Sequence, residues 1–388
     1  MAGKISSLFV IQFGSNVGYA IAPLETLFYE VGVQLAEGDT DLVHFAYRDV
    51  TNGRPQSLPP DFTNYFPHDV YDTSPTSIAA LAAYVRDHGI RLVMFFDINP
   101  ISPLFRALRA AGARTLLSYY GAPLSSPMPL WKLAIKKTIF TLSRSRLDGL
   151  IFESRAMADL AVGGRGVSSR LIDIVPLGVN IAKFQPGHTD YAHAALAIPQ
   201  SHKIVIYAGH MERRKGVHTL IDAAVELVKR RRRDDVSFVI CGNKANESEP
   251  FLATCAREGI EGRVIFGGYR SDMPQLYASC ICGVIPSTGW DSFPRTAVEM
   301  AAAGLPVVAS RLQGLCEAVL DGETGLLFEP GDAVGLANAL ERMLDDSDLA
   351  RRLGAAGRLR CERELNLDVQ RTRFLAVVRK RIESSAAS

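Results

Sequence analysis

CICGVIPSTGWDSFPRTAVEMAAAGLPVVAS, residues 280–310, reads as strand, loop, helix and strand. The apolar run Cys280–Ile285 predicts a buried strand, Pro294–Ala303 a helix, and Pro306–Ala309 a second strand. A strand–helix–strand unit with short links belongs to a parallel α/β domain. Proline fits the first turn of that helix, because the N–H it lacks would have no partner there. Asp291 then lies at the mouth of the helix and Glu299 about two turns in. The free first-turn N–H groups and the positive dipole end suit an anionic group between them. Each carboxylate can accept two hydroxyl hydrogen bonds, which fits the vicinal diols of ribose or a hexose. The arrangement suits a nucleotide diphosphate sugar, although acids at this spacing also arise by chance.

The same alternation extends in both directions. Downstream of residue 200 the expected strands are Lys203–Ala208, Val236–Cys241, Val264–Phe266 and Gly325–Phe328, with helices at Gly216–Arg230, Pro250–Glu258, Met273–Ala278 and Ala333–Leu344, the last capped by Asp332. Upstream they are Ser7–Phe13, Asp41–Ala46, Arg91–Phe96, Arg114–Tyr119, Leu150–Glu153 and Leu171–Val175, with helices through Leu35 and over Pro103–Ala111. Leu177–Pro186 reads as an exit segment and His188–Ser201 as irregular. The expected division is 1–186, 187–365, and a terminal helix over 366–388 that returns to the first domain. A chain of 388 residues, 47% hydrophobic and 22% charged, has material for two packed cores. Its net charge of +2 gives no reason to expect nucleic acid as a partner. The six cysteines all fall in the second half, and Cys280 and Cys282 share one strand face without a second ligand pair, so buried free thiols and a reducing compartment are expected. No signal peptide or membrane-spanning run is visible, and a cytoplasmic protein is expected.

Five other motifs carry chemistry. Gly14-Ser15-Asn16-Val17-Gly18 lets backbone approach a phosphate or sugar; its plainer reading is a tight strand-to-helix turn. Gly209-His210-Met211-Glu212-Arg213-Arg214-Lys215-Gly216 places three cations where an α/β crevice holds ligands; its plainer reading is a solvated basic loop. Asp39 and Asp41 precede their strand and read as structural rather than metal-binding, whereas Asp97 ends a strand and suits an acceptor hydroxyl. Trp131–Arg146 (WKLAIKKTIFTLSRSR) is a basic amphipathic segment that fits peripheral contact with an anionic membrane surface; its plainer reading is an apolar stripe packed on its own domain. Lys229–Arg233 reads as a solvated helix end.

Taken together, the chain resembles the retaining GT-B-fold glycosyltransferases of glycosyltransferase family 4 (glycosyl transferases group 1). Four segments carry the likeness in order: Val175–Asn180 with Phe184 and Pro186; Tyr207–Gly216; Pro286–Met300 with Gly304–Ser310; and Gly314–Gly331. The resemblance implies two Rossmann-like doubly wound domains facing across a cleft. It implies a catalytic set of Lys215 on the diphosphate, Asp291 on the donor-sugar hydroxyls and Glu299 on the ribose. The turn from Phe293 through Pro294 and Arg295 to Thr296 would add N–H groups. Gly209, His210 and Arg214 would complete the phosphate side and Gly242 would lie in the donor site, with Tyr269 and Arg270 facing the base. Gly14 and Ser15 would touch the diphosphate across the cleft, and Asn16, Asp97 and Tyr120 would lie on the acceptor side. Three residues depart from the family pattern: His210 for an arginine, Asp291 for a glutamate, and Tyr120 for a histidine. The expected activity is metal- and cofactor-independent transfer of a hexose to an acceptor hydroxyl, lipid-linked if the basic segment meets a membrane, as in envelope polysaccharide or glycolipid assembly. The alternatives are a non-catalytic nucleotide-sugar-binding module and, more remotely, a sugar-nucleotide epimerase.

Overall fold

The computed structural model describes every residue except 1, 2, 20, 125, 127, 243–245, 387 and 388. The chain divides into two compact units, Met1–Pro176 with Gln370–Ser388, and Leu177–Val369.

The first unit has strands β1 (Ser7–Ile11), β2 (Val43–Tyr47), β3 (Tyr65–Pro67), β4 (Leu92–Phe96), β5 (Thr115–Tyr120), β6 (Gly149–Phe152) and β7 (Ile172–Ile174). Its helices are α1 (Ala22–Leu35), α2 (Pro75–Asp87), α3 (Pro103–Ala110), α4 (Leu130–Leu142) and α5 (Arg155–Arg165). The strands form a parallel sheet in the order β3-β2-β1-β4-β5-β6-β7. β1 is buried along its whole length because both faces are covered. Its side chains alternate between two cores: Leu8 and Val10 meet α2, α3 and α5, while Phe9 and Ile11 meet α1. Ser74, Ser102 and Ser154 each cap the following helix through a side-chain oxygen.

The second unit contains α6 (Tyr191–Ala195), β8 (Lys203–Ala208), α7 (Val217–Val225), β9 (Val236–Cys241), α8 (Glu249–Glu258), β10 (Val264–Gly268) and α9 (Met273–Tyr277). It continues with β11 (Cys282–Ile285), α10 (Arg295–Ala302), β12 (Val307–Ser310), α11 (Leu315–Ala318), β13 (Gly325–Phe328), α12 (Ala333–Asp345) and α13 (Ser347–Glu364). These strands form a second parallel sheet, β10-β9-β8-β11-β12-β13. Ile204 and Ile206 of β8 face one core with α10, and Val205 and Tyr207 face the other with α7 and α12. Asp332 caps α12 as expected, accepting from Gly335 N at 2.8 Å. In both sheets the strand order reverses beside the first strand, at β1/β4 and at β8/β11. Ligands of open α/β sheets bind at the carboxyl ends of such neighbouring strands.

The last helix, α14 (Leu367–Ala386), leaves the second unit and completes the first from Gln370 onward. The division falls after Pro176, ten residues before the expected exit at Pro186, because Leu177, Val179 and Phe184 are buried in the second unit's core. His188–Ser201 is less irregular than expected: α6 forms there and buries Ala192 in the same core. The Lys229–Arg233 run is held in ion pairs with Glu226, Glu258, Glu341, Asp235 and Asp345. All six cysteines carry free thiols, Cys316 half-buried and the others buried.

Candidate functional site

The loops after β8 and β11 meet at the switch point of the second sheet. The β8 loop begins at Gly209, whose N–H donates to Cys241 O at 3.1 Å. Gly242, at φ +94°, lies against it; a Cβ there would stand 2.7 Å from Gly209 O. Buried Tyr207 donates from its hydroxyl to His210 O, which fixes the turn from below. Arg213–Lys215 form a single 3₁₀ turn that ends at Gly216, φ +73°. A Cβ on Gly216 would lie 1.7 Å from Pro286 O, so both the backbone conformation and the space require glycine.

That close approach lets the two loops hydrogen-bond. Thr288 N and Gly289 N donate to Arg214 O at 2.7 and 3.1 Å, and Thr288 Oγ1 donates to Arg213 O at 3.2 Å. Across this seam Lys215 Nζ reaches Asp291 Oδ2 at 2.9 Å. Ser287 Oγ donates to the same oxygen at 2.8 Å, and Asp291 N donates to Gln313 Oε1 at 3.1 Å. Asp291 is 4% exposed. A carboxylate so far from water is tolerable because a cation and a hydroxyl meet it there. Arg214 turns aside: its guanidinium stacks 4.2 Å from the Trp290 ring centroid and its Nε pairs with Glu212 at 2.8 Å.

α10 begins at Arg295 with Pro294 as its N-cap, and no side chain caps it. Phe293 packs into the core, so only its backbone can serve the site, and Pro294 has no N–H to give. Thr296 and Arg295 supply the first-turn donors, and the Arg295 Nε is buried without a partner. Glu299 is buried at 3% exposure on the same helix. His210 is exposed. Of the loop expected near a base, Tyr269 is 74% exposed, while Arg270 Nε is held on Asp272 Oδ1 at 2.8 Å. The Arg270 bond, with a hydrogen bond from Tyr191, holds the Asp272 carboxyl down at about 2 against its burial.

The first unit places its candidate residues at its own switch point, but it uses most of them internally. Gly14 lies against the Asp49 carboxylate; a Cβ there would stand 2.7 Å from Asp49 Oδ1. Ser15 is fully buried; its Oγ donates to Gly53 O at 2.7 Å and its N to Asp49 O at 2.9 Å. Asn16, at φ +58°, donates to Asn52 O and Arg54 O and accepts from Gln56 N, each at 2.9 Å. Both side chains therefore brace the loop over residues 49–56. Tyr120, expected on the acceptor side, is core: it is fully buried, stacks on Phe152 at 4.8 Å, and donates to Ile98 O at 2.9 Å. Asp97 keeps its place at the end of β4. Its backbone sits at φ +52°, and its Oδ1 accepts from Gly121 N and Ala122 N at 3.0 and 3.3 Å. Burial pushes its carboxyl up to about 7, against the pull of those two N–H groups. Asp39 pairs with Lys4 at 2.9 Å, a structural role as expected.

Sequence reasoning passed over Ser287 and Gln313, which fix Asp291. Ser287 lies inside the decisive stretch and is recognisable as a hydroxyl four residues before the acid. Gln313 lies beyond β12 and carries no local signal.

The family model for glycosyl transferases group 1 matches residues 189–360, which include both loops and α10. Among curated relatives, D-inositol 3-phosphate glycosyltransferase of Corynebacterium urealyticum is 35% identical over 211 residues, 52% of this chain and 49% of that protein. Its counterpart in Corynebacterium diphtheriae is 32% identical over 193 residues, 48% of this chain and 45% of that protein. The chain thus matches about half the length of these curated relatives. Among solved structures, a glycosyltransferase from Rickettsia africae superposes with a TM-score of 0.82 over 98% of this chain and 99% of that one, at 17% identity. Anabaena HepE in complex with UDP gives 0.76 over 97% and 100%, at 19% identity. The chain therefore has the GT-B fold, two Rossmann-like parallel-sheet domains, and its second unit is similar to the glycosyl transferases group 1 family over residues 189–360.

Proposed function

We propose that this chain is a retaining glycosyltransferase that moves a hexose from a nucleotide diphosphate sugar to an acceptor hydroxyl. One observation carries the reading: Lys215 and Asp291 meet at 2.9 Å at the β8/β11 switch point, in the unit where α10 opens with an uncapped N-terminus. Lys215 and the first-turn N–H groups stabilise the departing diphosphate. Asp291 receives donor-sugar hydroxyls and Glu299 the ribose hydroxyls. With the positive charge supplied by protein groups, the transfer needs no metal. The acceptor oxygen attacks the anomeric carbon from the face the diphosphate leaves. The bond from that carbon to the phosphate oxygen breaks, and the acceptor proton passes to a leaving-phosphate oxygen. We take the acceptor to be lipid-linked and presented at the inner face of a membrane, in envelope polysaccharide or glycolipid assembly.

Purified protein given labelled nucleotide sugars in the presence of a chelator is expected to release nucleoside diphosphate, and product NMR to show a retained anomeric configuration. Lys215→Ala and Glu299→Ala are each expected to lower turnover at least about tenfold, the loss of one charge-assisted hydrogen bond. Near-normal turnover with intact donor affinity in both variants would remove this assignment. Donor binding without turnover on any sugar would point instead to the non-catalytic module.

A further inference from the structure

α4 turns its apolar residues outward. Leu130 is 83% exposed, Trp131 64%, Ile135 53%, Ile139 56% and Leu142 76%, while Phe140 is the one residue of the helix described as buried. At 3.6 residues per turn, Trp131, Ile135 and Leu142 fall within about 40° of one another, and Phe140 lies about 180° from Trp131. The helix therefore has an inner anchor and an outer apolar ridge, rather than the single packed stripe of the plainer sequence reading. Its inner side is fixed: Gly166, the left-handed cap of α5, lies so close that a Cβ would stand 2.5 Å from Lys137 N. Arg109 holds the following turn through Arg144 O and Arg146 O. The outer ridge is thus a standing feature of the surface.

Charge decides what covers it. Lys132 and Lys136 flank the ridge on one side and Lys137 lies on the other, and Arg144 and Arg146 follow; no acid occurs from Leu130 to Arg146. An apolar ridge between cations complements a bilayer whose headgroups are anionic: the side chains enter the acyl boundary while the ammonium groups reach phosphates. A tryptophan at the edge of such a ridge suits the interface. We infer that α4 docks the first unit flat on an anionic membrane surface through Trp131, Ile135, Ile139 and Leu142, with the lysines on headgroup phosphates. This deepens the lipid-linked acceptor reading and rests on it only for the purpose of docking, since the binding itself requires no transfer chemistry.

Full-length protein should sediment with phosphatidylglycerol-containing vesicles and not with phosphatidylcholine vesicles, and added salt should weaken the binding. Lys132→Glu/Lys136→Glu/Lys137→Glu should reduce the affinity at least about tenfold. Trp131→Ser/Ile135→Ser, changes at exposed positions, should do the same while turnover of a free nucleotide sugar is unchanged. Absence of sedimentation with anionic vesicles, or equal binding to both vesicle types that neither variant alters, overturns the inference. So does concentration-dependent dimerisation abolished by the serine variant, which would seat a second copy on the ridge. Loss of donor turnover with vesicle binding intact would count against the transferase reading and leave the docking surface standing.

Discussion

At Asp291, one carboxylate oxygen carries both the Lys215 ammonium and the Ser287 hydroxyl in a site nearly closed to water. Removing one partner of a buried pair leaves an uncompensated charge, whereas removing both charges together relieves it. Lys215→Met is therefore expected to destabilise the second unit by about 2–3 kcal/mol, and Lys215→Met/Asp291→Asn to recover most of that loss while staying inactive. Urea unfolding of the two variants beside wild type measures the difference; equal stability of the single and double variants would separate the pair energetically. The pair itself was readable only in part. The acid, the cation and the Pro294 start are plain in the sequence. That Lys215 rests on Asp291 depends on Gly216 admitting Pro286 O, a meeting of segments seventy residues apart that no local pattern encodes. For the same reason Tyr120 looked available: a tyrosine at a strand end gives no sign of which neighbours will close over it.

Asp97 shows how one carboxyl can tie two elements together, joining the end of β4 to the turn after β5 through the N–H groups of Gly121 and Ala122. Its folded pKa of about 7 lies above the ordinary carboxyl value of about 3.9, so the folded protein holds that proton more tightly than the unfolded chain. The stability it lends is full below about pH 4 and falls as pH rises to about 7. Asp97→Asn, which keeps an acceptor oxygen, should gain on wild type across that window by about 4 kcal/mol and hold the gain above it. Melting temperatures of both proteins at acid and mildly alkaline pH test this; a difference that does not change with pH would refute it. Elements differ in how openly the chain spells them. β8, β9 and β13 follow largely apolar runs, and their ends match the sequence reading residue for residue. The sequence reading passes over α2, although Ser74–Pro75 marks its opening. β3 is three residues that become a strand only by pairing with β2, and α6 exists because Ala192 finds a core to enter. Neither has a period long enough to announce it.

Over the whole molecule, the order of the chain and the order of its units differ. Leu177–Val369 is contiguous, whereas the first unit takes its opening 176 residues and its closing segment from opposite ends of the sequence. From that closing segment Phe374 packs 5.8 Å from Phe28 and 5.5 Å from Tyr119, and Arg381 and Lys380 both meet Asp173. A chain ending after Val369 would bare Phe28 and Tyr119 and leave Asp173 without either cation. Limited proteolysis of that truncation should degrade the first unit and spare Leu177–Val369; equal resistance of both units would show that α14 is dispensable. During synthesis the arrangement imposes a waiting time. The segment that leaves the ribosome first cannot close its own interior until the final turns of α14 arrive, while everything between can already have settled. For as long as translation of the second half lasts, the earliest-made aromatic side chains stand open to any sticky neighbour, and a host cell must shelter them or make the protein slowly enough that encounters are rare.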